Sequence, residues 1–317
     1  MLAHDIHQEA PVDPLTNVLG LLGLRTAQFA RLEAGEPWAI GFSGYRHIKF
    51  GAVLQGVCRI SVSGCPAVTL TEGDCYLVGS GRPYTLGGAR EAPTTPSAQV
   101  FAGYVEGAPV RFGTGLDTVV VGCGFELNEA DAAVLLDVLP PLVHVDAESA
   151  VAPTVHNILE VLRSETATIG LGSQFVTERL AHVLLAQVLR SYISETDTEG
   201  GGWLTAFRDR RIGAALRAMH SLPEHRWSVA ELATHAGLSR SQFAGRFTAC
   251  VGVPPMEYLA AWRLRSAALA LRTGNLTIAA IASRWGYSSE SSFSHAFKRS
   301  TGVSPKHYRM QHRGEAC

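Results

Sequence analysis

Apolar positions change their spacing three times along this chain. From Phe29 to about Phe125 they come in short runs broken by Gly, Pro and Asp, as in 47–62, 66–79, 84–88 and around 98–107. Short strands separated by tight turns predict an antiparallel barrel or sandwich there. After Phe125 the period becomes helical: Asn128 to Leu139, stopped by Pro140 and Pro141, then Val151 to Arg163, then Gln174 to Ile193. The run Glu199-Gly200-Gly201-Gly202 reads as a flexible linker. Beyond it the pattern is helical to the end. Three segments follow, 1–126, 127–199 and 203–317.

The last segment contains an internal repeat. Ser228 to Leu238 aligns with Thr277 to Tyr287, and after one extra residue, Ser288, Ser239 to Tyr258 aligns with Ser289 to Tyr308, with 11 of 31 positions identical, too many for chance. Each copy opens on an N-cap residue, Ser228 or Thr277, and Glu231 completes a capping box with Ser228. Gly237 or Gly286 ends the helix, because glycine enters the left-handed region at least cost. Ser239 or Ser289 then caps a second helix whose Phe pair, Phe243 with Phe247 or Phe293 with Phe297, lies at i and i+4 and packs inward. Between the copies, Pro255 begins a long helix through Arg272 with Tyr258, Leu259, Trp262, Leu269 and Leu271 on its packing side, about 27 Å of rigid spacer. A pair of helix-turn-helix units so spaced suits successive major grooves.

Charge sharpens this reading. The net charge of −1 conceals 11 basic against 22 acidic residues in 1–202, a net of −11, and 16 against 6 in 203–317, a net of +10. A basic end of this kind is expected to meet a polyanion. With 46% hydrophobic and 17% charged residues the chain can bury a sizeable core, which excludes wholesale disorder. Asp137, Arg179 and Arg190 interrupt the apolar stretches, so no membrane span is expected, and residues 1–11 lack a secretory pattern. A cytoplasmic protein is the expectation. Six scattered cysteines suit neither a disulfide scaffold nor a zinc ribbon, and no Ser/His/Asp set, phosphate loop or carboxylate pair stands out. No catalytic residue, cofactor or metal is therefore assigned.

The second copy, IAAIASRWGYSSESSFSHAFKRSTGVSPKHYR, ends in Gly-x-Ser-Pro-x-x-Tyr-Arg, and residues 206–310 resemble the DNA-binding domain of AraC/XylS-type bacterial transcription regulators. Opposite the Phe pairs, the reading helices carry Ser241, Gln242, Gly245, Thr248 and Ala249, and Ser291, Ser292, His295, Lys298 and Arg299. The resemblance implies base contacts from Ser241, Ala244 and Gly245 and from Ser291, Ser292 and His295. Gly245 departs from the expectation, having no side chain to reach a base. The first helix is thus left backbone approach, a methyl from Ala244 and phosphate clamping by Arg240 and Arg246.

Gly56 and Gly64, then Leu70 to Asp74, then Gly81 to Tyr84 resemble the cupin barrel that precedes this domain in many such regulators; 13–38 resembles one cupin-bearing branch. The expected fold is multidomain α+β: a cupin-like β-barrel, a helical connector used for dimerisation, and an all-α double helix-turn-helix. Metal-dependent cupins converge about three His and a carboxylate. Here the first motif offers His47 with Lys49 where a second His could stand, and the second offers Tyr84. A cupin enzyme fused to a DNA-binding domain is therefore the rival reading. Trp38, His47, Lys49 and Tyr84 are the candidate lining of a small-molecule pocket, with a packed core as the alternative. Cys58, Cys65, Cys75 and Cys123 read either as small buried apolar residues or, because some regulators of this branch sense oxidants through cysteine, as redox sensors. Cys65, in a turn before Pro66, is the accessible one. Double-stranded promoter DNA, a second subunit, RNA polymerase and an effector or oxidant are the implied partners, with activation the usual mode.

Overall fold

A computed structural model describes residues 15–16, 19, 25–44, 48–79, 81–105, 107–126, 139–168, 170–196 and 202–312. The chain divides into two compact units, the first made of residues 23–196 and the second of 197–317 with 1–22. The first contains strands β1 (Arg25–Ala34), β2 (Ala39–Phe42), β3 (Ile48–Gln55), β4 (Val57–Val62), β5 (Val68–Thr71), β6 (Cys75–Val78), β7 (Tyr84–Gly87), β8 (Thr95–Pro96), β9 (Val110–Phe112), β10 (Thr118–Glu126) and β11 (Val143–Val145). They form two sheets, one in the order β11-β6-β3-β10-β1-β9 and one in the order β5-β4-β7-β2-β8.

Side-chain alternation explains the layering. In β4, Cys58, Ile60 and Val62 are buried while Val57, Arg59 and Ser61 face water, the period of a strand covered on one face. In β3 five consecutive residues, Phe50 to Leu54, are buried, as in a strand covered on both faces. One of those faces joins the core between the sheets, where Leu32, Val53, Tyr76 and Val120 meet Trp38, Ile60, Tyr84 and Leu86. Gly56 turns β3 into β4 with φ +79, and a Cβ there would lie 2.1 Å from the Asp117 carbonyl oxygen, so no other residue fits.

Helices α2 (Ala152–Ala167) and α3 (Ser173–Glu195) belong to the same unit, and α3 touches β1, β6 and β11. The ring of Phe125 on β10 meets His182 on α3 edge-on at 5.4 Å. Arg163 on α2 donates to the Leu54 carbonyl and pairs with Glu72 at 2.9 Å. The helix expected over 128–139 falls almost wholly outside the described residues. Around 98–107 the structure differs from the strand-like expectation: Ser97–Val100 forms a single helical turn, α1, closed by the Phe101 amide on the Ser97 carbonyl at 2.9 Å. Pro96 at its N-cap and the helix-forming Ala98 and Gln99 favour the turn, and apolar content alone did not distinguish it from a strand.

The second unit is helical: α4 (Gly202–Ala206), α5 (Arg210–Ser221), α6 (Val229–Ala236), α7 (Arg240–Val251), α8 (Pro255–Thr273), α9 (Ile278–Arg284), α10 (Glu290–Thr301) and α11 (Pro305–His312). The repeat appears as α6-α7 and α9-α10. Among the described residues no helix is long and apolar enough to cross a membrane.

Candidate nucleic-acid interface and cavity

The caps fix where each reading helix starts. Ser239 accepts from the Gln242 amide while the Gln242 side chain accepts from the Ser239 amide, and Ser289 exchanges the same pair of bonds with Ser292. Gly252 and Gly302 end the helices at φ +89 and +81, allowing a sharp exit. Gln242 and Ser292 therefore use part of their hydrogen-bonding capacity on their own helix, although both side chains are exposed.

Packing fixes which way each helix faces. Phe243, Phe247, Phe293 and Phe297 are wholly buried, with ring centroids 5.6 Å apart in the first pair and 5.4 Å in the second. Tyr258 closes on Phe247 and Tyr308 on Phe297, so each copy keeps its own core. The second core also takes Ala267, Ala268 and Leu271 from α8. Turned away from these cores, Arg240, Ser241, Gln242, Gly245 and Arg246 on α7 and Ser291, Ser292, His295, Lys298 and Arg299 on α10 are exposed, while Ala244 is half-buried. A Cβ built on Gly245 meets nothing within 4 Å, which leaves the middle of α7 open to close approach.

Two features of this unit escaped the sequence reading. Asp209 N-caps α5 through the amides of Arg211 and Ile212, at 2.9 and 3.0 Å, and its other oxygen takes both Nε and Nη2 of Arg246 at 2.8 and 2.6 Å. Burial pushes the Asp209 carboxyl up, but the Ile212 amide and the Arg246 guanidinium outweigh it and hold the carboxyl below its usual range. Arg246 is thus anchored to α5 as well as exposed. The second feature is His220 on α5, stacked on Trp262 of α8 at 3.6 Å and hydrogen-bonded to the Tyr258 hydroxyl at 2.8 Å. Burial pushes its pKa down to about 3. The Asp before Arg210-Arg211-Ile212, with Ile212, Ala215, Leu216 and Met219 at helical spacing, was the legible signal for α5 and its cap.

Residues 13–194 match the family described as Cupin, and residues 232–311 match one described as Helix-turn-helix domain. The chain is 41% identical over 299 residues to a putative AraC-like transcription regulator of Streptomyces lividans, covering 94% of this chain and 98% of the relative. It belongs to the AraC-like transcription regulators. The HTH-type transcriptional regulator AlkR of Acinetobacter baylyi is 29% identical over 307 residues, 95% of this chain and all of that one. The RCS-specific HTH-type transcriptional activator RclR of Escherichia coli is 28% identical over 201 residues, 61% and 68% of the two chains. This AraC-like chain thus joins an N-terminal cupin domain to a C-terminal helix-turn-helix domain that binds double-stranded DNA.

Between the sheets of the cupin domain lies a half-open cavity of about 280 Å³, lined by Phe42, Tyr76, Tyr84, Leu86 and Phe101 together with Lys49 and Cys123. Lys49 and Tyr84, expected together in a pocket, meet here. Trp38 does not line it: it lies four residues before Phe42, roughly 13 Å along an extended chain, and is packed into the core instead. His47 lies outside the described residues. Among the described residues no three His, Cys, Asp or Glu side chains cluster as a metal site would require. Cys58, Cys75 and Cys123 are buried; burial pushes the Cys58 thiol up to about 12 and the other two higher still, so each stays protonated and a poor nucleophile. Cys65 is partly exposed, in a turn where its amide bonds the Val62 carbonyl at 2.9 Å.

Proposed function

We propose that this AraC-like chain is a cytoplasmic, homodimeric transcription activator that reads promoter DNA through α7 and α10 and is controlled by a small molecule held in the cupin cavity. The observation that carries the reading is the duplicated geometry: two capped helices, each with a Phe pair buried and a polar face exposed, within a segment of net charge +10. Ser241, Ala244, Gly245, Ser291, Ser292 and His295 face the bases in this reading; Arg240, Lys298 and Arg299, with Arg246 from its anchored position, face phosphates. His295 and Lys298 make α10 the richer reader. In this reading a second subunit covers Phe175 and Val183, which are exposed on α3. RNA polymerase is the further partner that activation requires.

Cysteine control is the second reading, and the partial exposure of Cys65 favours it over the three buried thiols as the place where an oxidant enters. A metal-dependent cupin enzyme is disfavoured by the donor set, since the cavity lining offers an amine, two phenols and the single Cys123 thiol where a cupin metal needs several imidazoles and a carboxylate. Stoichiometric iron or zinc in the purified protein would restore it. The deciding experiment is fluorescence anisotropy of the full chain on its own upstream DNA against unrelated duplex competitor. Retention of the upstream fragment at competitor excess is expected; equal loss of both duplexes, even at low salt, rejects the reading.

A further inference from the structure

Both helix-turn-helix units are packed on α8, each against a different part of it. Tyr258 closes on Phe247 of the first copy and Trp262 stacks on His220, whereas Ala267, Ala268 and Leu271 enter the core of the second. Arg263 stands where the helix passes from one core to the other. It is half-buried, and its guanidinium donates from Nε to the Pro223 carbonyl at 2.6 Å and from Nη2 to the His225 carbonyl at 2.7 Å. Those carbonyls belong to the loop that leads into Ser228, the N-cap of α6, so Arg263 ties the entry of the first unit to the spacer helix. The turn of the second unit meets the same junction. Gly286 has φ +78, and a Cβ there would lie 2.9 Å from Arg263 Nη2 and 3.0 Å from the Glu224 carbonyl oxygen. The aligned Gly237 of the first unit has φ +62, yet a Cβ there meets nothing within 4 Å. Both glycines serve a left-handed turn, but of the two only Gly286 also admits a loop and a guanidinium from beyond its own unit.

Resting on the reading that α7 and α10 both read promoter DNA, we infer that Arg263 and Gly286 form a clamp that fixes the angle between the two units and so sets the spacing of the two DNA boxes that one subunit accepts. The spacer helix holds their distance, at about 1.5 Å per residue. Apolar packing is non-directional and by itself resists a small rotation of one unit against the other only weakly. A planar guanidinium that donates along two fixed directions opposes that rotation. One extra base pair moves the second box by about 3.4 Å along the duplex and about 34° around it. Clamped reading helices cannot follow both displacements; released ones follow in part. Arg263 is a positioning residue, acting on base reading through α7 and α10.

Selection by the full chain from a pool of duplexes, in which two randomised boxes are separated by variable lengths, tests this. Wild type is expected to enrich one spacer, with spacers one base pair longer or shorter enriched at least about tenfold less. In Arg263→Met, which keeps the apolar stem and removes the fork of donors, that contrast is expected to fall to about threefold or less, with the base consensus inside each box unchanged. Arg263→Lys keeps the charge without the planar fork and is expected to lie between the two. The turns give a second route: Gly237→Ala and Gly286→Ala strain a left-handed backbone alike, but only Gly286→Ala is expected to shift or broaden the preferred spacer. A wild-type spacer distribution in both Arg263→Met and Gly286→Ala overturns the clamp and leaves the two-helix reading standing. Loss of the first box's consensus in Arg263→Met also overturns it, since Arg263 would then merely support the first unit. A wild-type chain with no preferred spacer overturns the clamp and the two-helix reading together.

Discussion

His295 is the residue at which the two reading helices differ most in chemistry. It occupies on α10 the place that Gly245 holds on α7, and both are exposed. An imidazole there can donate to or accept from a base edge, whereas glycine offers only backbone. Replacing His295 by Ala should leave stability within about 0.5 kcal/mol, because nothing buried is disturbed. It should flatten preference at one or two operator positions by about 1–3 kcal/mol. Selection from a randomised duplex pool, compared between wild type and variant, reads this directly; an unchanged consensus would remove His295 from base reading. His220 makes the opposite case, a buried imidazole with a structural task. It takes its proton near 3 in the folded chain and near the ordinary histidine value when unfolded. The unfolded state therefore binds the extra proton first, and stability falls as pH drops from about 6.5 toward 3. Between pH 6.5 and 4.5 this single group should cost about 2–3 kcal/mol. Four of the five tryptophans, Trp203, Trp227, Trp262 and Trp285, lie in the helical unit and report its urea midpoint. His220→Phe should remove that part of the acid slope while keeping a ring on Trp262; an identical slope in wild type and variant would show that His220 does not titrate this way.

At the scale of elements, the question is what holds α7 in its reading position. Asp209 joins two tasks, capping α5 and receiving Arg246 from α7, so the start of one helix and the middle of another share a carboxylate. Removing either partner leaves the other with an unmet charge, more costly for the buried carboxylate than for the half-exposed guanidinium. Asp209→Ala should cost about 2–3 kcal/mol, cap included, and Arg246→Ala about 1–2 kcal/mol. In a double-mutant cycle the coupling should be about 1–2 kcal/mol, whereas an Arg246 that served only phosphates would show coupling near zero. The α6-α7 and α9-α10 pairs were legible from the sequence because capping residues, terminating glycines and Phe pairs recur in one order, each a local rule read without tertiary knowledge. α5 was not singled out: it lies before the repeat, and the worth of its cap depends on an arginine 37 positions away. The strands followed from short apolar runs and their turns, as Gly56 between β3 and β4 shows. The turn at 97–100 did not, since four residues are too few for periodicity to distinguish helix from strand. Within the cavity, Lys49 and Tyr84 were legible as inward positions, whereas Phe42, Tyr76 and Phe101 were not, because only strand pairing brings them to the same space.

For the whole molecule the governing fact is that a net charge near zero is split into −11 and +10. Charges act over a Debye length of about 8 Å at 0.15 M salt and about 30 Å at 0.01 M. Near physiological salt, DNA therefore feels chiefly the basic residues at its own contact surface, and the acidic 1–202 contributes little. In dilute buffer the acidic part comes within electrostatic range and weakens attraction to any duplex. A fragment of residues 203–317 and the full chain, compared on unrelated duplex DNA, should both lose affinity as salt rises. About six neutralised phosphates correspond to a loss near a thousandfold between 0.05 and 0.2 M. The fragment should bind more tightly than the full chain at 0.01 M, by about tenfold or more, and the two should converge by 0.15 M. Specific DNA should behave differently if the full chain is the proposed dimer, because two subunits then offer four reading helices to a repeated operator and gain from effective concentration what the fragment lacks. The order of affinities should accordingly reverse between unrelated duplex in dilute buffer, where the fragment leads, and operator DNA at 0.15 M, where the full chain leads. If the fragment leads in both, 1–202 only repels DNA; if the full chain leads in both, the charge division has no bearing on recognition.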